Sequence, residues 1–128
     1  MLTQMDSKEL IELRLVNQQL TSTGSKTPVD VVSRFAAMQA QDYAMAKWAI
    51  GMRLPNATDA GIEAALDAGQ LIRLHIMRPT WHIVAAQDVR WMLDLTADRL
   101  NRTVGTMYRK LELDEAVFRQ SNDLITKL

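Results

Sequence analysis

The sequence predicts a mainly α-helical chain carrying one β-hairpin, on three observations. Apolar residues recur at helical spacing through most of the 128 residues. β-rich composition is confined to two neighbouring runs, Leu71 to Met77 and Thr80 to Val84. Helix start and stop signals punctuate the rest: Thr27-Pro28, Thr58-Asp59 and Asp114 as openings, Pro55-Asn56 and Gly69 as ends.

In order, Ser7 is the expected N-cap of a first helix, Glu9 to Leu20, whose Leu10, Leu13, Val16 and Leu20 form an apolar stripe. A Ser/Thr/Gly linker, Thr21 to Lys26, follows. Thr27 caps a second helix with Pro28 at its first position, where the missing N–H costs nothing, and Val29, Val32, Phe35 and Ala36 lie along it. Tyr43 to Leu54 reads as a third helix with Met45, Trp48, Ala49 and Met52 on one stripe, stopped by Pro55. A short helix from Thr58-Asp59 carries Ile62, Ala65 and Leu66 and closes at Gly69, the residue able to take the left-handed conformation. The two β-like runs form a hairpin turning at Arg78-Pro79-Thr80. Ala85 to Asp88 leads into a helix with Val89, Met92, Leu93 and Leu95, Thr96 to Leu111 is helical again despite Gly105, and Asp114 opens a last helix with Val117, Leu124, Ile125 and Leu128. That final stripe runs to the last residue without a stop signal, which leads us to expect a chain truncated at its C-terminus.

Composition narrows the function classes. With 15 Lys and Arg against 15 Asp and Glu, no global field draws the chain onto DNA or an anionic membrane, so any nucleic-acid contact needs a local basic patch. The absence of cysteine removes disulfides, thiol nucleophiles and thiolate metal sites while leaving the redox compartment open. Two His without fixed carboxylate spacing give no metal site. The N-terminal Met1 to Asp6 has neither a basic nor an apolar targeting region, and no run is long enough to span a membrane, so a cytoplasmic location is expected. Neither a metal nor a redox cofactor is called for.

Three helices, a short helix and a hairpin follow the order of a winged-helix unit: a three-helix helix-turn-helix core with a β-hairpin wing. We place it at residues 1–84, with residues 85–128 as a helical extension that begins a following domain. The same order also serves protein–protein contacts, so the pattern alone leaves DNA binding and protein binding both open.

Two segments carry a resemblance. The first is Met38-Gln39-Ala40-Gln41-Asp42 with Ala46 to Ile50 and Arg53-Leu54; the second is Leu71-Ile72-Arg73 through Met77 to Val84, with Ala86 to Trp91 behind it. Together with Leu13-Arg14-Leu15 and Gln18 or Gln19, their order and spacing over roughly residues 7 to 95 resemble the winged-helix DNA-binding family of bacterial glycosylases that remove alkylated purines and unhook interstrand crosslinks. The family's Gln-apolar-Gln signature maps onto Gln39, Ala40 and Gln41, and a branch of the family has Asp at the second Gln. This chain departs from the family at Pro79, where an Arg-Gly-Thr turn is usual and where Pro cannot adopt positive φ. The resemblance implies double-stranded DNA as partner and, for the full-length protein, hydrolysis of the N-glycosidic bond of an alkylated purine as reaction, the isolated fragment being expected to be inactive. A non-catalytic winged-helix DNA-binding or regulatory module is the alternative.

If the resemblance holds, Gln39 and Gln41 are the candidate catalytic pair. Residues i and i+2 diverge by about 200° on a helix but share a side of extended backbone, so their convergence requires a helix break near Ala40, which Asp42 as N-cap of the next helix would supply. Gln is too weak a base to take a proton, yet it can position and polarise a water, and a cationic alkylated base leaves without prior protonation. The plain alternative is that both glutamines cap the second helix or pair with backbone. Lys47, Arg53, Arg73, Arg78 and Arg90 are candidates for a phosphate-contacting patch, against the alternative of an ordinary solvated surface. His82 is expected to lie exposed beside Arg78 on the wing with Trp81 and Ile83 facing the core, as a candidate DNA contact. His75 is a weaker candidate, and Trp48, Trp81 and Trp91 read as packing residues.

Overall fold

The computed structural model describes residues 6–21, 24–77 and 80–127. Helices α1 (Ser7–Asn17) and α2 (Pro28–Phe35) are followed by a short strand β1 (Ala37–Gln39), then α3 (Tyr43–Gly51), α4 (Asp59–Asp67), β2 (Leu71–His75), β3 (Trp81–Ala85), a single 3₁₀ turn (Ala86–Asp88), α5 (Val89–Lys110) and α6 (Glu115–Ile125). The chain is therefore mainly helical around a small antiparallel sheet.

Local chemistry accounts for most boundaries. Thr27 accepts from the Asp30 N–H while the Asp30 carboxylate accepts from Thr27, a reciprocal capping box ahead of Pro28. Thr58 and Asp114 likewise cap α4 and α6 through side-chain oxygens. Gly69 ends the turn after α4 at φ 66, where a side chain would be strained. Two expectations need correction. The first helix is capped by Asp6, not Ser7, because an Asp6–Glu9 capping box forms one residue earlier. The two helices expected on either side of Thr96 are one, α5, because the Thr96 hydroxyl is satisfied by the Met92 carbonyl of the preceding turn and by Ile76, and so does not break the helix.

β2 and β3 form the expected antiparallel pair, Leu71 facing Ala85 and His75 facing Trp81. The turn residues Arg78 and Pro79 lie outside the described residues. The third strand, β1, is a feature the composition did not announce: three residues pair with β3, Ala37 with Val84, Met38 with Ile83 and Gln39 with His82. β3 is thus the central strand, in the order β1-β3-β2. One sheet face, with Leu71, Met38 and Ile83, packs on Val31, Val32, Ala46, Ile50, Ile62 and Ala65 of α2, α3 and α4. The other, with Val84, Ala37 and Leu74, packs on Ile76, Met92 and Val89. Two covered faces explain why β3 is buried almost throughout.

The terminal helices differ from their periodicity. No residue of α1 or α6 is buried, and Leu10, Leu13 and Val16 of the first helix's apolar stripe stand exposed. α6 is held to the end of α5 by an edge-to-face contact of Tyr108 and Phe118 at 5.2 Å.

Candidate active site

The chain breaks its helical course between Phe35 and Tyr43, and this break builds the site. Ala36 turns out of α2 at φ 61, a conformation that is strained for a residue with a side chain. Three extended residues follow as β1. Ala40 is fully buried, and its N–H donates to the Trp81 carbonyl at 2.8 Å, so the chain stays against β3 one residue beyond the strand. Asp42 then caps α3, accepting from the Met45 N–H at 3.0 Å. Gln39 and Gln41 flank the buried Ala40, both exposed, and both line one concavity of about 380 Å³ together with Asp42, Met45, Ala46 and Ala49.

The segment is tied down from β2. Arg73 donates from Nε and Nη2 to the Ala40 carbonyl at 3.1 and 2.9 Å, and from Nη2 towards the Gln41 carbonyl at 3.4 Å. Its guanidinium lies over the Trp81 ring at 4.6 Å and near the Tyr43 ring at 5.4 Å. The Gln41 amide oxygen accepts from the Trp81 N–H at 3.4 Å, which leaves its NH₂ group as the available donor. Gln39 makes no side-chain hydrogen bond among the described residues. Chemically, the concavity presents one amide free to orient a water and a second amide fixed by backbone.

Three of the cations expected in a basic patch, Lys47, Arg53 and Arg73, are engaged within the protein. Lys47 is only 8% exposed and bridges two carboxylates of α4, Asp59 at 2.9 Å and Glu63 at 2.5 Å, with the Tyr43 hydroxyl donating to Glu63 at 2.6 Å. The bond to Glu63, then that to Asp59, raises the Lys47 pKa. The bonds from Lys47 and then Tyr43 hold the Glu63 carboxyl below its ordinary range, and the Tyr43 hydroxyl is pushed up by Glu63. Arg53, also 8% exposed, donates to the Ala49 and Gln18 carbonyls at 2.6 and 2.9 Å and lies over the Phe35 ring at 5.0 Å. Burial lowers its pKa. Arg73 is turned onto Ala40, Arg78 falls outside the described residues, and Arg90 stands exposed.

His82 is a further correction, for it is 2% exposed rather than on an open wing. It sits on the central strand, where both faces are covered, opposite Gln39 in the β1–β3 register. Its Nδ1–H donates to the Thr80 carbonyl at 2.8 Å. His75 is exposed and stacks on Trp81 at a ring separation of 4.1 Å. Trp48 and Trp91, expected as packing residues, are largely exposed, Trp48 at 60%. Trp81 does pack, partly buried against the first core cluster.

Sequence reasoning missed Tyr43, Asp59 and Glu63 as partners of Lys47. A signal was present: Tyr43 and Lys47 are four apart on one helix, and Asp59 and Glu63 four apart on the next, so two helices packed side by side present matching rows. It also missed that Arg73, in register with Leu71 on β2, shares the sheet face directed at the first core cluster.

Among the described residues no helix is long and apolar enough to cross a membrane, and no group of three or more His, Asp or Glu is placed to hold a metal ion. No curated protein and no solved structure matches the chain. A family model described as DNA glycosylase AlkZ-like matches residues 32–128, from the middle of α2 through the Gln39–Gln41 segment, the sheet and both long C-terminal helices. With well over half of its length inside that match, the chain belongs to the AlkZ-like DNA glycosylase family.

Proposed function

We propose that the protein acts in DNA repair by hydrolysing the N-glycosidic bond of alkylated purines, with Gln39 and Gln41 at the reacting centre. The observation that carries this reading is the convergence of two exposed amides on one concavity, with a buried Ala40 between them, inside the stretch matched by the glycosylase family. A purine alkylated at N7 or N3 is already cationic, so it departs without a proton donor and the sugar becomes oxocarbenium-like. What remains for the protein is to place a water and direct dipoles at the developing charge. Gln39, unengaged by protein, accepts a proton of that water in a hydrogen bond. Gln41, whose oxygen is turned to Trp81, offers its NH₂ group to the water oxygen or to the sugar.

The order α2-β1-α3-α4-β2-β3 supports a winged-helix reading of residues up to the hairpin, with α5 and α6 as the helical extension. Double-stranded DNA is the proposed partner, with the target nucleotide flipped towards the concavity.

The test is release of N7-methylpurine from alkylated duplex DNA. Gln39→Ala and Gln41→Ala should each lower release by about a hundredfold, the scale for losing one positioning group, with DNA affinity little changed. A full-length protein that binds duplex DNA and releases no base assigns the chain to the non-catalytic alternative. Undiminished release by the double variant removes the glutamines from the reacting centre.

A further inference from the structure

The cation taken from the sequence as a phosphate contact, Arg73, has a geometry that serves the glutamines instead. We propose that Arg73 is a positioning residue, whose guanidinium holds the Ala40–Gln41 peptide against β3 and thereby fixes where both amides point. The inference rests on the glycosylase reading above.

Three observations carry it. First, two nitrogens of one guanidinium converge on a single carbonyl, that of Ala40, which lies midway between Gln39 and Gln41; a third, longer contact reaches the Gln41 carbonyl. Because Ala40 also gives its N–H to the Trp81 carbonyl, each of the two peptide units that flank Ala40 is held by a hydrogen bond. Secondly, the guanidinium is itself fixed, packed over Trp81 at 4.6 Å and Tyr43 at 5.4 Å, so its planar fork is set before DNA arrives. Thirdly, the same Trp81 supplies the N–H that engages the Gln41 amide oxygen. Trp81 therefore meets the segment at three points: its carbonyl takes Ala40, its N–H takes Gln41, and its ring carries the arginine that takes Ala40 again. A guanidinium spent on two backbone carbonyls and two rings is poorly placed to reach a phosphate.

Arg73 does not meet the substrate in this arrangement. It acts through the placement of Gln39 and Gln41, where a shift of about 1 Å in a positioned group costs on the order of a hundredfold in rate.

The experiment compares Arg73→Gln and Arg73→Lys with wild type in base release from alkylated duplex, in the salt dependence of duplex binding, and in amide hydrogen exchange of the folded protein. Arg73→Gln should lower kcat at least about tenfold with KM within about twofold. Arg73→Lys, which restores one donor without the fork, should recover part of that loss. The salt slope should not move, and exchange should quicken at Ala40, whose N–H is bonded to the Trp81 carbonyl, while amides of Val32 and Ile50 keep their protection. That last comparison separates a local loosening from general unfolding. Wild-type turnover retained in Arg73→Gln overturns the inference and leaves the glycosylase reading standing. So does a fall of about 0.9 in the logarithmic salt slope, the mark of a lost phosphate contact. Absence of base release by wild type overturns the glycosylase reading and the inference with it.

Discussion

Replacing Arg53 with Ala should cost about 3 kcal/mol of stability and leave the salt dependence of DNA binding unchanged. The guanidinium is nearly enclosed, has no ion pair among the described residues, and spends its donors on carbonyls: Ala49 at 2.6 Å within α3 and Gln18 at 2.9 Å at the end of α1. Hydrogen bonds from a charged donor contribute about 1.5–3 kcal/mol each, and removing the charge returns part of that by relieving its burial. The guanidinium lies over the Phe35 ring at 5.0 Å, and truncation loses that contact and leaves a void beside the ring. The balance is about 3 kcal/mol, which for a chain of this size lowers Tm by about 10 °C. Arg53→Met keeps the stem and loses the bonds, so it should recover less than half. Circular-dichroism melting gives the stability, and fluorescence anisotropy with duplex DNA at several salt concentrations gives the slope. A Tm within about 2 °C of wild type, together with a slope reduced by about 0.9, would refute the structural role and restore Arg53 as a phosphate contact.

The Glu63 carboxyl is held below its ordinary range, so its ion-pair stabilisation is complete above the unfolded value near 4.5 and is lost as pH falls through the lower folded value. Thermal melts between pH 7 and 3 should therefore converge for wild type and Glu63→Gln at the acid end, and parallel curves would count against the cluster. Ile83, fully buried on the central strand, should cost about 3–4 kcal/mol as Ile83→Ala, and a denaturant midpoint close to wild type would show that β3 is not the core strand. On α4, Asp67→Lys should leave the DNA salt slope unchanged, whereas a steeper slope and tighter binding would place that helix against phosphate.

How far the sequence could be read is best seen at single positions. Thr27-Pro28, Asp42, Thr58, Gly69 and Asp114 were legible because capping and left-handed turns are local: the residue itself supplies the hydrogen bond or the φ. The need for a break near Ala40 was legible because it is a geometrical demand of two glutamines at i and i+2. β1 was not, since three residues, Ala37, Met38 and Gln39, carry no alternation to detect and owe their extended form to β3, more than forty positions away. His82 was misplaced because its face of β3, shared with Val84, is covered by Ile76, Val89 and Met92, and nothing local to the hairpin announces that α5 packs over it. The helical stripes of α1 and α6 show the converse limit: periodicity says which residues share a face but not whether anything covers it.

The charge arrangement bears on how DNA reaches such a site. α4 carries Asp59, Glu63 and Asp67 and no Lys or Arg, and in the winged-helix reading proposed above it would be the helix directed at the major groove. Its one close cation, Lys47, is already divided between Asp59 and Glu63 and is anchored on α3. A surface of that sign repels phosphate, while the Gln39–Gln41 concavity opens beside the first turn of α3, away from the Lys47 pairs. The fold thus uses its helix pair as a frame: ion pairs lock α3 to α4, Arg53 ties α3 to the end of α1, and Arg73 ties β2 to Ala40. Basic residues turned inward in this way rigidify the segment that bears the two amides. Under the DNA reading proposed above, the cations left to meet a duplex are those the structure leaves in solvent, such as Arg34 at the end of α2 and Arg90 at the start of α5.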